Sequence, residues 1–176
     1  MLDEQIDHGP ILAQKSIKIA ENDNYKTLHD KLSHLGAELL AEILPKYIKG
    51  EIKPITQKES EATYCQILTK KDSKIDWNKS AEEIERQIRA FSPCPNAWTF
   101  WNNKSLKIIK SVVYDSTKFN MITGNIGEVF KTKDGIGVKC GKEALEILEL
   151  QLEGKKQMPV KEFINGYPTI IGSRLS

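Results

Sequence analysis

Asp3 and Asp7 stand four residues apart in the opening stretch DEQIDHGPIL, with His8 beside the second carboxylate and Gly9-Pro10 ending the turn. Carboxylates and an imidazole at a turn that feeds an apolar run are residue types suited to general acid–base work, or to a carboxylate that orients a base. Neighbours in an extended chain point to opposite faces, so adjacency alone does not pair Asp7 with His8. Two readings of Asp7 stay open at this level: an orienting carboxylate, or a side chain that simply caps a turn before Gly9-Pro10.

A second set of residues is cationic. Lys155 and Lys156 follow Gly154, and Arg86, Arg89 and Lys161 add further positive charge. Mobile ammonium groups on a loop suit a phosphate backbone, although a solvated turn has the same composition. Trp98, Phe100 and Trp101 could stack on bases, but Trp98 and Phe100 share one strand face, which reads as core. His29 and His34 read as solvated helix residues without partners for a metal. Cys65, Cys94 and Cys140 are odd in number and widely spaced, which points to reduced thiols and a cytoplasmic protein.

The elements that must position these residues follow from periodicity. Ile11, Ala13, Ile17 and Ile19 alternate with Leu12, Gln14, Ser16 and Lys18 and predict a strand of about nine residues. Leu28, Leu32, Leu35, Leu39, Ile43 and Tyr47 recur at steps of three and four, predicting a helix from Tyr25 to Lys49 with Gly50 at its end. A strand and a helix cannot enclose a core by themselves, so this βα pair needs something to pack on. Ser80-Ala81-Glu82-Glu83 carries the capping-box spacing. Ala81, Ile84, Ile88 and Phe91 then predict a short helix that stops at Ser92-Pro93-Cys94-Pro95. Five short segments follow, Ala97 to Trp101, Leu106 to Val113, Gly127 to Phe130, Gly135 to Cys140 and Ala144 to Leu152. They predict a small antiparallel barrel.

Composition narrows the class. The 176 residues are 39% hydrophobic and 28% charged, as in a folded domain rather than a disordered chain. No apolar run approaches a bilayer span, and no leader pattern opens the chain. From Trp101 onward there are 12 Lys/Arg against 8 Asp/Glu, and before it 14 against 16. The positive excess is therefore C-terminal, and mild.

Three stretches together resemble the methionyl-tRNA formyltransferases: DEQIDHGPIL, KIDWNKSAEEIERQIRAFSPCPNAWTFW and LQLEGKKQMPVKEFINGY. The middle one is the most specific, through Ile75-Asp76-Trp77, the capped helix, and Pro93 and Pro95 flanking Cys94. Formyltransferases acting on nucleotide sugars share the outline, and Gly154-Lys155-Lys156 with Met158 and Phe163 favours the tRNA enzymes. The resemblance implies an α+β chain. Residues 1–52 would be the βα end of a Rossmann-like catalytic domain, 53–74 a linker and 75–176 a tRNA-binding β-barrel resembling an OB fold. It implies formyl transfer from 10-formyltetrahydrofolate to the amino group of initiator methionyl-tRNA, without a metal. Of the family's catalytic Asn, His and Asp, only the Asp has a counterpart, Asp7. The other two, with most of the folate pocket, belong to segments upstream of this loop, so the chain alone is expected to be inactive and to need a separate N-terminal catalytic polypeptide. Gln5 and His8 replace a Gly and a Thr of the family loop, and Cys94 stands where the family often has Trp. Two alternatives accompany this expectation: a stand-alone, non-enzymatic tRNA-binding module, and part of a sugar-nucleotide formyltransferase.

Overall fold

The computed structural model describes residues 7–114 and 124–176. The chain divides into two compact units, Met1–Ile67 and Leu68–Ser176. Among the described residues no helix is long and apolar enough to cross a membrane.

The first unit is built around one long helix, α1 (Tyr25–Ile48), as the leucine spacing predicts. Its start is fixed by Asn24, whose side chain accepts from the Thr27 amide while Thr27 Oγ1 accepts from the Asn24 amide. Its end is a Schellman arrangement: Glu51 N–H donates to the Lys46 carbonyl and Gly50 N–H to Tyr47, with Gly50 at φ 76. No residue of α1 is buried. The strand expected over residues 11–19 does not form. Ile11 and Ile55 exchange backbone hydrogen bonds of 2.8 Å, but residues 12–19 have no backbone partner among the described residues. A strand is defined by its neighbour, and here the alternating sequence has none to pair with.

Asp23 anchors the start of α1. Its Oδ1 accepts from Lys31 Nζ at 2.6 Å and from Thr27 Oγ1 at 3.0 Å, and its Oδ2 from the Ala20 amide at 2.8 Å. The Lys31 bond, followed by the Ala20 amide, holds the carboxyl down at about 2. A depressed carboxyl adds stability above its unfolded range near 4, and that contribution disappears as pH falls toward 2. The amides of the first α1 turn should therefore lose exchange protection between about pH 4 and pH 2. Asp23→Asn should show weak protection there already at neutral pH, and an unchanged acid profile in that variant would sink the assignment.

The second unit carries the sheet. Helix α2 (Ala81–Ala90) starts at Ser80, whose side chain accepts from the Glu83 amide while Glu83 Oε2 accepts from the Ser80 amide, and it buries Ala81, Ile84 and Ile88. Strands β1 (Ala97–Trp101), β2 (Lys104–Val113), β3 (Val129–Lys131), β4 (Ile136–Lys139), β5 (Ala144–Leu152) and β6 (Met158–Pro159) form one antiparallel sheet. Its order is β1-β2-β5-β4-β3, with β6 also on β5. The long β5 pairs along its length with β2, while β4 takes its first half and β6 meets Glu149 and Leu150. Helix α3 (Val160–Gly166) buries Val160 and Phe163. Neither β6 nor α3 is predicted by the periodicity of the sequence.

The paired strands do not close on one another. Instead the C-terminal tail lies between β3 and β1. Gly172 N–H donates to the Val129 carbonyl, Leu175 N–H to Gly127, and Ser176 exchanges backbone bonds of 2.8 and 3.2 Å with Phe100. On the same edge of β1, Trp98 accepts from the Ile75 amide and donates to the Ser73 carbonyl. The core inside combines Trp77, Ile84 and Ile88 with Leu106, Ile108, Ile136, Leu145, Ile147, Leu150 and Phe163. Among the close approaches that demand glycine is Gly141, where a Cβ would overlap the Asn78 carbonyl and the amide donates to Trp77 and Lys79.

Candidate functional site

Asp7 occupies a left-handed turn position with φ 59, a conformation Asp and Asn tolerate better than most residues. Gln57 fastens the turn, its Nε2 donating to the backbone carbonyls of Asp7 and Gly9 at 2.8 Å each. Asp7 is exposed, so its carboxylate is available to a group brought from elsewhere. His8 turns to a different carboxylate, its Nε2 lying 3.8 Å from Glu59. Tyr64 donates to Glu59 at 2.8 Å, and that bond raises the Tyr64 hydroxyl above its usual range. Asp3 and Gln5 lie outside the described residues.

The structure separates the cationic candidates into two kinds. Three are matched to carboxylates: Arg86 to Glu82 at 3.2 Å, Arg89 to Glu85 at 2.7 Å and Lys161 to Asp134 at 3.0 Å. Lys155 and Lys156 are exposed and carry no ion pair among the described residues. Their turn is nonetheless fixed by its backbone. Gly154 has φ 73, the Lys155 amide donates to Leu152, and the Lys155 carbonyl accepts from Gln151 Nε2 at 2.8 Å. Two ammonium groups thus stand in water on a held loop, an arrangement suited to phosphate contact.

Trp98 and Phe100 are not core. Ala97, Thr99 and Trp101 point inward and the two other aromatics outward, half-buried, with rings edge to face at 5.1 Å. Lys70 and Lys74 lie over the Trp98 ring at 5.9 Å each, Lys74 lies 5.4 Å from the Phe100 ring, and Trp98 Nε1 donates to the Lys70 carbonyl. Polar Thr99 faces inward because it accepts from the buried Trp77 Nε1 at 3.0 Å. The inward need for Thr99 settles which face of β1 is which. In register, Trp98 sits across from Lys107 and Lys107 across from Gln151, and Gln151 holds the Lys155 loop. At about 4.8 Å per strand, one row joins the aromatic–lysine cluster to the lysine turn.

A cleft of about 480 Å³ opens beside this row, lined among others by Lys74, Asp76, Trp77, Ile126 and Arg174. Asn78 donates to Asp76 through its side chain and its backbone amide, which holds that carboxyl below the usual range. Arg174 Nε is engaged by the Ile126 carbonyl at 2.9 Å. None of the residues expected to act from sequence lines it. Burial pushes the Cys140 thiol up to about 12, which makes it inert at neutral pH.

Residues 67–168 match the family model described as formyl transferase, C-terminal domain. The chain is similar to methionyl-tRNA formyltransferase of Dictyoglomus turgidum, 48% identical over 175 residues that cover 98% of this chain and 55% of that protein. It is similar to the enzyme so named from Geobacter sulfurreducens, 36% identical over 99% of this chain and 54% of that protein. The chain thus spans about half the length of these curated relatives. Among solved structures, HypX from Aquifex aeolicus in complex with tetrahydrofolic acid shares the fold at a TM-score of 0.69 and 16% identity, over 96% of this chain and 29% of that one. WlaRD, a sugar 3N-formyl transferase, does so at 0.57 and 24%, over 88% and 53%.

Proposed function

Because the chain belongs to the formyl transferase C-terminal domain family, we propose that it is the acceptor-holding half of a methionyl-tRNA formyltransferase, acting in the cytoplasm in translation initiation. The observation that carries this reading is the extent of its likeness to enzymes of that name, which runs through both units at 48% identity. In this assignment residues 1–52 end the catalytic domain, 53–74 link, and 75–176 form a barrel of the OB kind whose last gap the C-terminal tail fills. The Lys155–Lys156 turn and the Lys70, Lys74 and Lys107 row offer charge to tRNA phosphates, with Arg86, Arg89 and Lys161 as flanking contacts that must first leave their carboxylates.

The formyl donor, 10-formyltetrahydrofolate, does not fit what this chain provides. Among described residues up to Ile67 only Gly9 and Asp23 are buried, so nothing there walls a cavity that could enclose a pterin ring. The donor site belongs to the portion of the relatives that this chain does not span. Asp7 is then a positioning residue, its carboxylate placed to orient a base carried by that portion.

Binding of tRNA tests the reading. Filter binding of the chain to methionyl-tRNA across salt concentrations should show weak affinity and a steep salt dependence. Lys155→Ala with Lys156→Ala should flatten the slope by roughly 0.7 to 0.9 for each phosphate no longer neutralised, and should do so for all tRNAs alike, since lysine reads charge and not base identity. A double variant with wild-type slope places the phosphates elsewhere than at this turn, and salt-independent binding sinks the electrostatic account. Specific, tight binding by the chain alone would favour a stand-alone tRNA-binding module.

A further inference from the structure

The Asp7 turn is gripped by a distant residue in a way that leaves its carboxylate unengaged. Gln57 Nε2 donates to the Asp7 carbonyl and to the Gly9 carbonyl, each at 2.8 Å. A primary amide nitrogen carries two hydrogens, so both serve this one turn. The register explains how a residue 50 positions away reaches it. Ile11 and Ile55 exchange backbone bonds as an antiparallel pair, and the next such pair along that ladder would set residue 57 against residue 9. No backbone bond joins those two residues. The Gln57 side chain supplies in its place a donor that spans two carbonyls.

The grip matters because of what it holds. Asp7 has φ 59, a left-handed conformation that a residue other than glycine keeps only where its surroundings fix it. Gly9 is buried and Asp7 exposed, so the turn is seated at one end while the acidic side chain stands in water at the other. That side chain caps nothing: the Asp7 carboxylate has no hydrogen bond or ion pair among the described residues. A partner bonded to the carboxylate itself would compete with any base brought to it. A clamp on the two backbone carbonyls fixes where the group points and leaves all its acceptor capacity available.

We infer that Gln57 is a positioning residue for formyl transfer, its amide setting the backbone of residues 7–9 so that the Asp7 carboxylate meets the base it orients from one place and one direction. This rests on the proposed function, and it gives the segment 53–74 a part in the reaction beyond linking two domains. A misplacement of about 1 Å at a reacting group can cost about 10²-fold in rate, so a loosened turn should be visible in turnover.

The test uses a chimera in which this chain replaces the stretch of the Dictyoglomus turgidum enzyme to which it aligns. Gln57→Leu keeps most of the bulk and removes both donors. It should lower kcat roughly 10- to 100-fold and leave KM for methionyl-tRNA unchanged, since the lysines proposed to meet tRNA lie in the unit Leu68–Ser176. Gln57→Glu has the same shape as glutamine and sets an acceptor against both carbonyls; it should do the same, and it guards against an effect of the apolar side chain on folding. In an Asp7→Asn background, Gln57→Leu should cost less than about 3-fold further, whereas a merely structural residue would take the same factor in both backgrounds. In the 176-residue chain itself, nitrogen-15 relaxation should show the order parameters of the His8 and Gly9 amides falling in Gln57→Leu from about 0.85 to below about 0.6, with α1 unchanged. Wild-type kcat in both Gln57 variants, equal losses in the two Asp7 backgrounds, or unaltered order at His8 and Gly9 would each overturn the inference. A wild-type chimera that forms no formylmethionyl-tRNA counts against the proposed function instead. There the relaxation of His8 and Gly9 decides alone whether Gln57 holds the turn.

Discussion

The 176-residue chain, incubated with methionyl-tRNA and 10-formyltetrahydrofolate, is expected to form no formylmethionyl-tRNA above the uncatalysed rate. Formyl transfer needs a neutral amine, stabilisation of the developing oxyanion and a proton carrier at the leaving nitrogen. Asp7 supplies none of these alone, and His8, facing Glu59, is not placed as a substitute base. Adding the complementary half of a relative should restore turnover. In that reconstituted system Asp7→Asn should lower the rate about 10³-fold or more, by analogy with the roughly 10⁴-fold loss when a triad carboxylate becomes an amide. The substitution is informative because Asn tolerates the left-handed backbone at φ 59 as Asp does. The turn and its Gln57 clamp on backbone carbonyls should survive, so a fall in rate reports the carboxylate and not the fold. Formylation by the chain alone would overturn the first expectation, and full activity of Asp7→Asn would reduce Asp7 to a turn residue.

What could be read in the sequence divides along a physical line. The capping box at Ser80 and Glu83, the α1 leucine spacing and the five main strands were legible because each is written in local chemistry or local period. The two-residue β6 was not, since its place is set by Glu149 and Leu150 of β5, and α3 follows it directly. The failed strand at 11–19 has the same origin. Its alternation is real, but a ladder needs a second strand that the described residues do not offer it. Trp98 and Phe100 were misplaced for a subtler reason. Aromatic residues favour burial on average, but strand parity gives the inward side to one set only, and the demand of Trp77 Nε1 for an acceptor awarded it to Thr99. Of the site, the Lys155–Lys156 turn was visible as a charge pair after glycine. That it carries no ion pair among the described residues, and that Arg86, Arg89 and Lys161 are engaged, depended on side-chain geometry that no spacing reveals.

Trp77→Ala should cost the second unit about 4 kcal/mol, within the range for removing a buried Trp or Phe side chain. The ring is 4% exposed, in a core closed on one side by the Ile75-to-Trp98 backbone bond and on another by the Gly141 amide, which donates to the Trp77 carbonyl. Its Nε1 donates to Thr99 Oγ1, which in turn donates to the Ser176 carbonyl at 3.2 Å, so the indole ties the segment before α2 to β1 and to the tail in the sheet's gap. Set against a total stability of roughly 5 to 15 kcal/mol for a domain, that loss brings the unit close to unfolding at modest urea. Trp77→Phe should keep most of the volume and cost about 1 to 2 kcal/mol for the missing donor and the small void. Trp98→Ala should cost less than Trp77→Ala, because its ring is half in water and its lysine partners can be solvated instead. Urea unfolding followed by far-ultraviolet circular dichroism separates these cases, and equal costs for Trp77→Ala and Trp98→Ala would show the inward and outward faces of β1 to be wrongly assigned. Ile75 and Trp77, both buried, then serve to close this core, and Trp77→Phe should bind tRNA as the wild type does wherever it remains folded.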